Sequence, residues 1–295
     1  RAGAAGAHLA LWAGFYITGA VVFIAQLTGL DANVPLRTRG VVGAFAFCTA
    51  MAVYLLDRVK LRDRWLDPAD AQAHPDRFAF LSRHAAYVRV LALSLLAVAG
   101  ALGTLVRFWG AVIPSLAVLG VLLYAGRPRQ GRPRPKDIIL LKNAYVAAGI
   151  TGFAALVLMI SFPPGDGAGA LTTPVHRAAV PLLLACAFLG ARVFADAVVC
   201  DLDDEDSDRR HGTGTLPTHL GRSRAWNIAM VTRLVSAAML TVVPVFPWHA
   251  RLAWAGVTIV SSVALRVADP IRVRDWVDAR LPVEAIIVAG VLSAW

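Results

Sequence analysis

Asp201, Asp204 and Asp208 belong to a run, DLDDEDSD, that places six acidic side chains in eight consecutive positions. On an α-helix each residue advances about 100°. Spacings of three and four therefore gather these carboxylates within an arc of about 60°, while Asp203 and Asp206 point elsewhere. Three carboxylates on one face repel one another unless a cation lies between them. Hard carboxylate oxygens with open water positions suit Mg2+, an ion that commonly arrives with substrate phosphates, so the spacing points to a metal-diphosphate site. A solvated charge network with Arg209 and Arg210 satisfies the same spacing. The GTGTLP that follows is a Gly-rich turn with a helix-stopping Pro217. It lacks the lysine a P-loop carries after its second glycine, which argues against a nucleoside-triphosphatase.

The elements that must position these residues follow from composition. Of 295 residues, 58% are hydrophobic and only 16% charged, with a mean hydropathy of +0.62. That is too apolar for an ordinary soluble domain and predicts an all-α, polytopic membrane protein. Apolar stretches near the length of about 20 residues that a bilayer requires run approximately over 7–30, 41–57, 86–106, 108–125, 138–161, 178–200, 226–247, 250–266 and 282–295. One domain over 1–295 is expected, with cytoplasmic loops at about 57–85 and 201–225. Lys and Arg concentrate in the connections after the second, fourth, sixth and eighth stretches. The positive-inside rule then puts those loops and the N-terminus in the cytoplasm and the C-terminus outside, as expected of a protein of the cell inner membrane.

This arrangement accounts for most of the net charge of +10. The basic GRPRQGRPRPK at 126–136 reads as a topology signal that attracts headgroups of membrane lipids, and no nucleic-acid partner is expected. Cys48, Cys186 and Cys200 lie in apolar stretches without CxxC spacing, and the histidines show no ligand spacing, so neither zinc nor a disulfide framework is implied. Arg192 and Asp196 lie four apart in the sixth stretch and are expected to pair along the helix, with Arg233 a further candidate.

The string from Asp201 to Gly221, with Asp201, Asp204, Asp208, Arg209, Gly212 and TLPTHLG, resembles the second aspartate-rich motif of the UbiA superfamily of intramembrane prenyltransferases. The nine stretches, with candidate motifs after the second and sixth, are similar to that family over essentially the whole chain. KDIILLKNAYVAAG at 136–149 is similar to its lysine-containing entrance to the fifth helix. The first motif departs from the pattern. With the family's Asp-Arg pair aligned on Asp57 and Arg58, Val53 and Tyr54 stand where Asn and Asp are expected, and Leu61 replaces the third aspartate. Asp63 reaches the site only if the helix ends or bends first.

The resemblance implies a bundle of nine transmembrane helices around a central cavity open to the cytoplasm. It implies a Mg2+-dependent prenyltransferase moving an isoprenyl group from an isoprenyl diphosphate to an aromatic or other lipophilic acceptor. Asp57, Asp201, Asp204 and Asp208 would hold metal. Lys142, Arg58 and Lys136 would meet phosphate, although Lys142 is equally a snorkelling interface anchor. Tyr54, Asn143 and Tyr145 are candidates for the pocket wall, against ordinary packing or helix-helix roles. A terpene cyclase of the same fold, or a non-catalytic membrane protein, are the alternatives.

Overall fold

The computed structural model describes residues 11–30, 34–60, 75–125, 138–161, 175–267 and 273–294, and its regular structure is all helical. The helices are α1 (Leu11–Thr28), α2 (Leu36–Val59), α3 (Pro75–Arg83), α4 (Ala85–Val106), α5 (Val112–Ala125), α6 (Leu141–Ser161), α7 (Val175–His211), α8 (Leu216–Leu220), α9 (Arg222–Val242), α10 (Trp248–Val267) and α11 (Val273–Leu292). Each expected apolar stretch overlaps one of the longer helices. Six of these, α1, α2, α4, α6, α7 from Ala179 and α9, are long and apolar enough to cross a membrane, and α5 is a shorter apolar helix. The protein is an integral membrane protein by this measure. At 20 residues each, α10 and α11 complete the set of longer helices.

Two boundaries differ from the sequence reading. The last helix begins at Val273 rather than near 282, because Arg280, read as part of the preceding connection, is buried in the bundle. The sixth runs unbroken to His211, so the acidic run is helix throughout. At about 1.5 Å per residue this 37-residue helix is about 55 Å long. A hydrocarbon core of about 30 Å cannot contain it, so its acidic end projects beyond the apolar layer.

Packing closes the helices into a ring pinched at the middle. On one side α2, α4, α5 and α6 pack in succession; on the other α7, α9, α10 and α11 do so, and α1 touches α2, α6, α7 and α11 between the two lobes. The outward surface is apolar, with Leu105, Leu123, Leu183, Val260 and Ile286 exposed. The interior holds Arg192, Asp196, Arg233, Arg280 and Glu284. A soluble domain rarely shows so much apolar surface, whereas a protein solvated by lipid is expected to.

Candidate active site

Alternating helix direction brings the C-terminal ends of α2, α5 and α7 and the N-terminal end of α6 to the same face of the bundle. The helix packing joins them: α5 and α6 are neighbours, α6 packs on α7, and α2 touches both α5 and α6.

The projecting end of α7 is held by the chain that follows it. Gly212 ends the helix with φ of +70°, a left-handed conformation that glycine adopts without a Cβ penalty, and Thr213 donates its backbone N–H to Asp208 O at 2.9 Å. Thr215 then starts α8 with a reciprocal capping box to Thr218, and Pro217 occupies the first turn, where its missing N–H costs nothing. This buries Leu216 in a cluster with Leu202, Val198, Val199 and Ala225. Gly221, at φ +82°, turns the chain into α9, whose Arg222 donates to Leu202 O at 2.8 Å. The TLPTHLG string is therefore a brace on the back of α7, opposite the carboxylates.

On the front, the carboxylates meet α6. Asp201 and Asp208 are only 4% and 9% exposed, and both face Lys142. Its Nζ lies 2.8 Å from Asp201 Oδ1 and 3.2 Å from Asp208 Oδ2. Asn143 Nδ2 donates to Asp201 Oδ2 at 3.0 Å, so both oxygens of Asp201 are engaged by consecutive residues of α6. Asp204 lies half-buried on the same side and acts electrostatically on Asp208, as Asp201 does. Asp206 is exposed.

The α2 side is arranged differently. Asp57 pairs with Lys60, a partner the sequence reading missed, and Arg58 donates to Tyr54 Oη at 3.3 Å with its guanidinium 5.2 Å from the ring centre. Arg89 of α4 donates to Lys60 O at 2.9 Å and Val59 O at 3.3 Å, fixing the end of α2. Tyr124 on α5 was also missed. It stacks on Tyr145 at 5.1 Å between ring centres, and Tyr145 donates to Gly120 O at 2.8 Å. Nothing in the local sequence signals Tyr124, since its role comes from α5 docking beside α6. Lys136, Leu61 and Asp63 lie outside the described residues.

Among the described residues no three His, Cys, Asp or Glu side chains converge tightly enough to enclose an ion by themselves. The donor set nevertheless fits Mg2+. Asp201 and Asp208 already converge on one cation, and Mg2+ characteristically takes one or two carboxylates and completes its shell with water and substrate phosphate.

Deeper in the bundle, the expected Arg192–Asp196 pair along α7 does not form. Arg192 pairs instead with Glu284 of α11, and Asp196 accepts from Arg233 of α9 and Arg280 of α11. Tertiary partners on facing helices reach these groups more squarely than a neighbour on the same helix.

No family model matches the chain, and no curated protein matches it. Solved structures do. An apo UbiA homologue from Aeropyrum pernix K1 is 16% identical with a TM-score of 0.66, over 96% of this chain and 97% of that one. A UbiA homologue from Archaeoglobus fulgidus bound to DMAPP and Mg2+ is 12% identical with a TM-score of 0.61, over 98% of this chain and 99% of that one. A digeranylgeranylglyceryl phosphate synthase is 13% identical with a TM-score of 0.52, over 97% of this chain and 96% of that one. The chain has the fold of these UbiA homologues along its whole length.

Proposed function

We propose that this protein belongs to the UbiA superfamily and transfers an isoprenyl group from an isoprenyl diphosphate to a lipophilic acceptor within the membrane. The observation that carries the reading is Lys142 held between Asp201 and Asp208 at the end of an apolar bundle. Cationic and hard anionic groups concentrated there are what a diphosphate headgroup and its divalent ion need, and apolar helix faces below suit the tail. The likeness of one neighbour bound to DMAPP and Mg2+ supports the same assignment.

Asp201, Asp204 and Asp208 would hold Mg2+, with Asp57 facing them from α2. The ion would supply charge stabilisation to the departing diphosphate. Asn143 orients the Asp201 carboxylate. Lys142, Arg58 and Lys136 would add positive charge to offset the diphosphate. The allylic C–O bond breaks with its electron pair leaving on the diphosphate. The acceptor's nucleophilic atom then bonds to the allylic carbon and loses a proton. The stacked Tyr124 and Tyr145 rings offer π faces near the developing cation. The Lys and Arg of the connections at this end of the bundle support a cytoplasmic orientation for it and for the N-terminus.

A cyclase reading is favoured by one feature. The first motif keeps only Asp57 of its carboxylates, and that residue is paired with Lys60. Purified protein in lipid nanodiscs, supplied with Mg2+ and a series of isoprenyl diphosphates, is expected to release diphosphate, and Asp204→Asn to abolish the release. A cyclic hydrocarbon or alcohol formed without acceptor would turn the assignment to cyclase. No release with any donor, or undiminished release by the variant, overturns the proposal.

A further inference from the structure

The core of the second lobe contains more positive charge and more hydrogen-bond donors than it can satisfy. Arg192, Arg233 and Arg280 are 2%, 0% and 6% exposed, and they face two buried carboxylates, Asp196 and Glu284. Asp196 accepts from Arg233 Nη2, Arg280 Nη2 and the Tyr16 hydroxyl. Glu284 accepts from Arg192 Nη2 and Ser261 Oγ, with Arg280 Nη1 at 3.3 Å without hydrogen-bond alignment. Thr258 and Ser262 spend their hydroxyls on carbonyls of their own helix.

What remains is one-sided. Nε and Nη1 of all three arginines have no hydrogen-bond partner, and neither does Nε1 of Trp254, which is fully buried with its ring 5.3 Å from the Arg192 guanidinium carbon. Phe23 lies 5.1 Å from the same carbon, so aromatic faces flank Arg192. Among the described residues the unmatched atoms here are donors only, and three guanidiniums against two carboxylates leave a single positive charge. An unpaired buried charge in a bilayer-spanning bundle is costly, as is each unmatched donor. The missing complement is negative, accepts hydrogen bonds, carries one charge and is small, because the surrounding side chains are enclosed.

We propose that the second lobe binds a small monovalent anion, a halide or a compact carboxylate, among Arg192, Arg233, Arg280 and Trp254. The site is separate from the diphosphate site. Asp196 lies five residues before Asp201 on α7, about 7–8 Å along the axis, and its partners come from α1, α9 and α11 rather than α6. The anion neutralises the lobe and joins α7 to its neighbours, whatever reaction the other site performs.

The test is thermal unfolding of the purified protein in nanodiscs at fixed ionic strength, with gluconate exchanged for chloride, bromide or formate. The expected result is a saturable rise in Tm with a compact anion; a response confined to halides identifies a halide site, and one shared with formate identifies a general monovalent site. Arg192→Met, which leaves two guanidiniums for two carboxylates, should lose the dependence. Identical curves in all four anions, or an undiminished response in Arg192→Met, overturn the proposal. Should that variant fail to fold, crystals of the wild-type protein grown in bromide decide the matter. An anomalous peak within hydrogen-bond distance of the three guanidiniums supports the site, and the absence of one there rejects it.

Discussion

Replacing Lys142 with Met removes the cation shared by Asp201 and Asp208, leaving two largely buried carboxylates facing each other. Breaking a buried pair costs about 3–5 kcal/mol, and the low end applies because Lys142 keeps some solvent contact. The variant should therefore melt lower without divalent ions and gain more Tm from added Mg2+ than the wild type, since the ion takes over the missing charge. Its rate of diphosphate release should fall on the order of 10²-fold if the ammonium also stabilises the leaving group. An equal Mg2+ response in both proteins would show that Lys142 and the ion do not share a site. Asn143 calls for a different measurement. Its amide donates to Asp201 Oδ2, so Asn143→Leu should leave the helix intact and raise the Mg2+ concentration needed for half-maximal activity by about 10–100-fold, as removing a partner of a ligand does. A normal Mg2+ requirement would make Asn143 a packing residue only.

At the scale of elements, the brace behind α7 is open to the same kind of test. Gly212 sits at φ +70° with nothing near an added Cβ, so Gly212→Ala carries backbone strain alone, about 1–2 kcal/mol. Tm should drop accordingly, and activity should fall with it as the helix end loosens; unchanged Tm would mean the turn can rebuild without left-handed geometry. Here the reach of sequence reading is plain. The common face of Asp201, Asp204 and Asp208 was legible because helical spacing is a local property. The TLPTHLG string was legible as a resemblance, but its work as a brace depends on Leu216 meeting Leu202 across a turn. The start of α11 was misplaced for the converse reason. Arg280 looks like a loop residue in one dimension and becomes buried only through a partner contributed by α7. Tyr124 was missed because an isolated tyrosine in an apolar stretch has no pattern to mark it.

The whole molecule is two apolar lobes joined through α1 and the packing of α6 on α7, with charge inside the second lobe and at the mouth of the first. Asp196 ties α1, α7, α9 and α11 together through Tyr16, Arg233 and Arg280. Asp196→Asn leaves three arginines with one carboxylate and should destabilise the fold by about 3–5 kcal/mol, read as a large loss of Tm. Survival at wild-type Tm would show that the network carries little of the stability. The brace on α7 also bears on truncation of the chain. Leu216, Pro217 and Arg222 follow the acidic run in the chain, so a released polypeptide that stops at His211 holds its aspartates without their support. Such a truncated chain should be cut readily by protease within 203–210, whereas one extended through α9 should resist, so the carboxylates acquire their bearing only from the segment that comes after them.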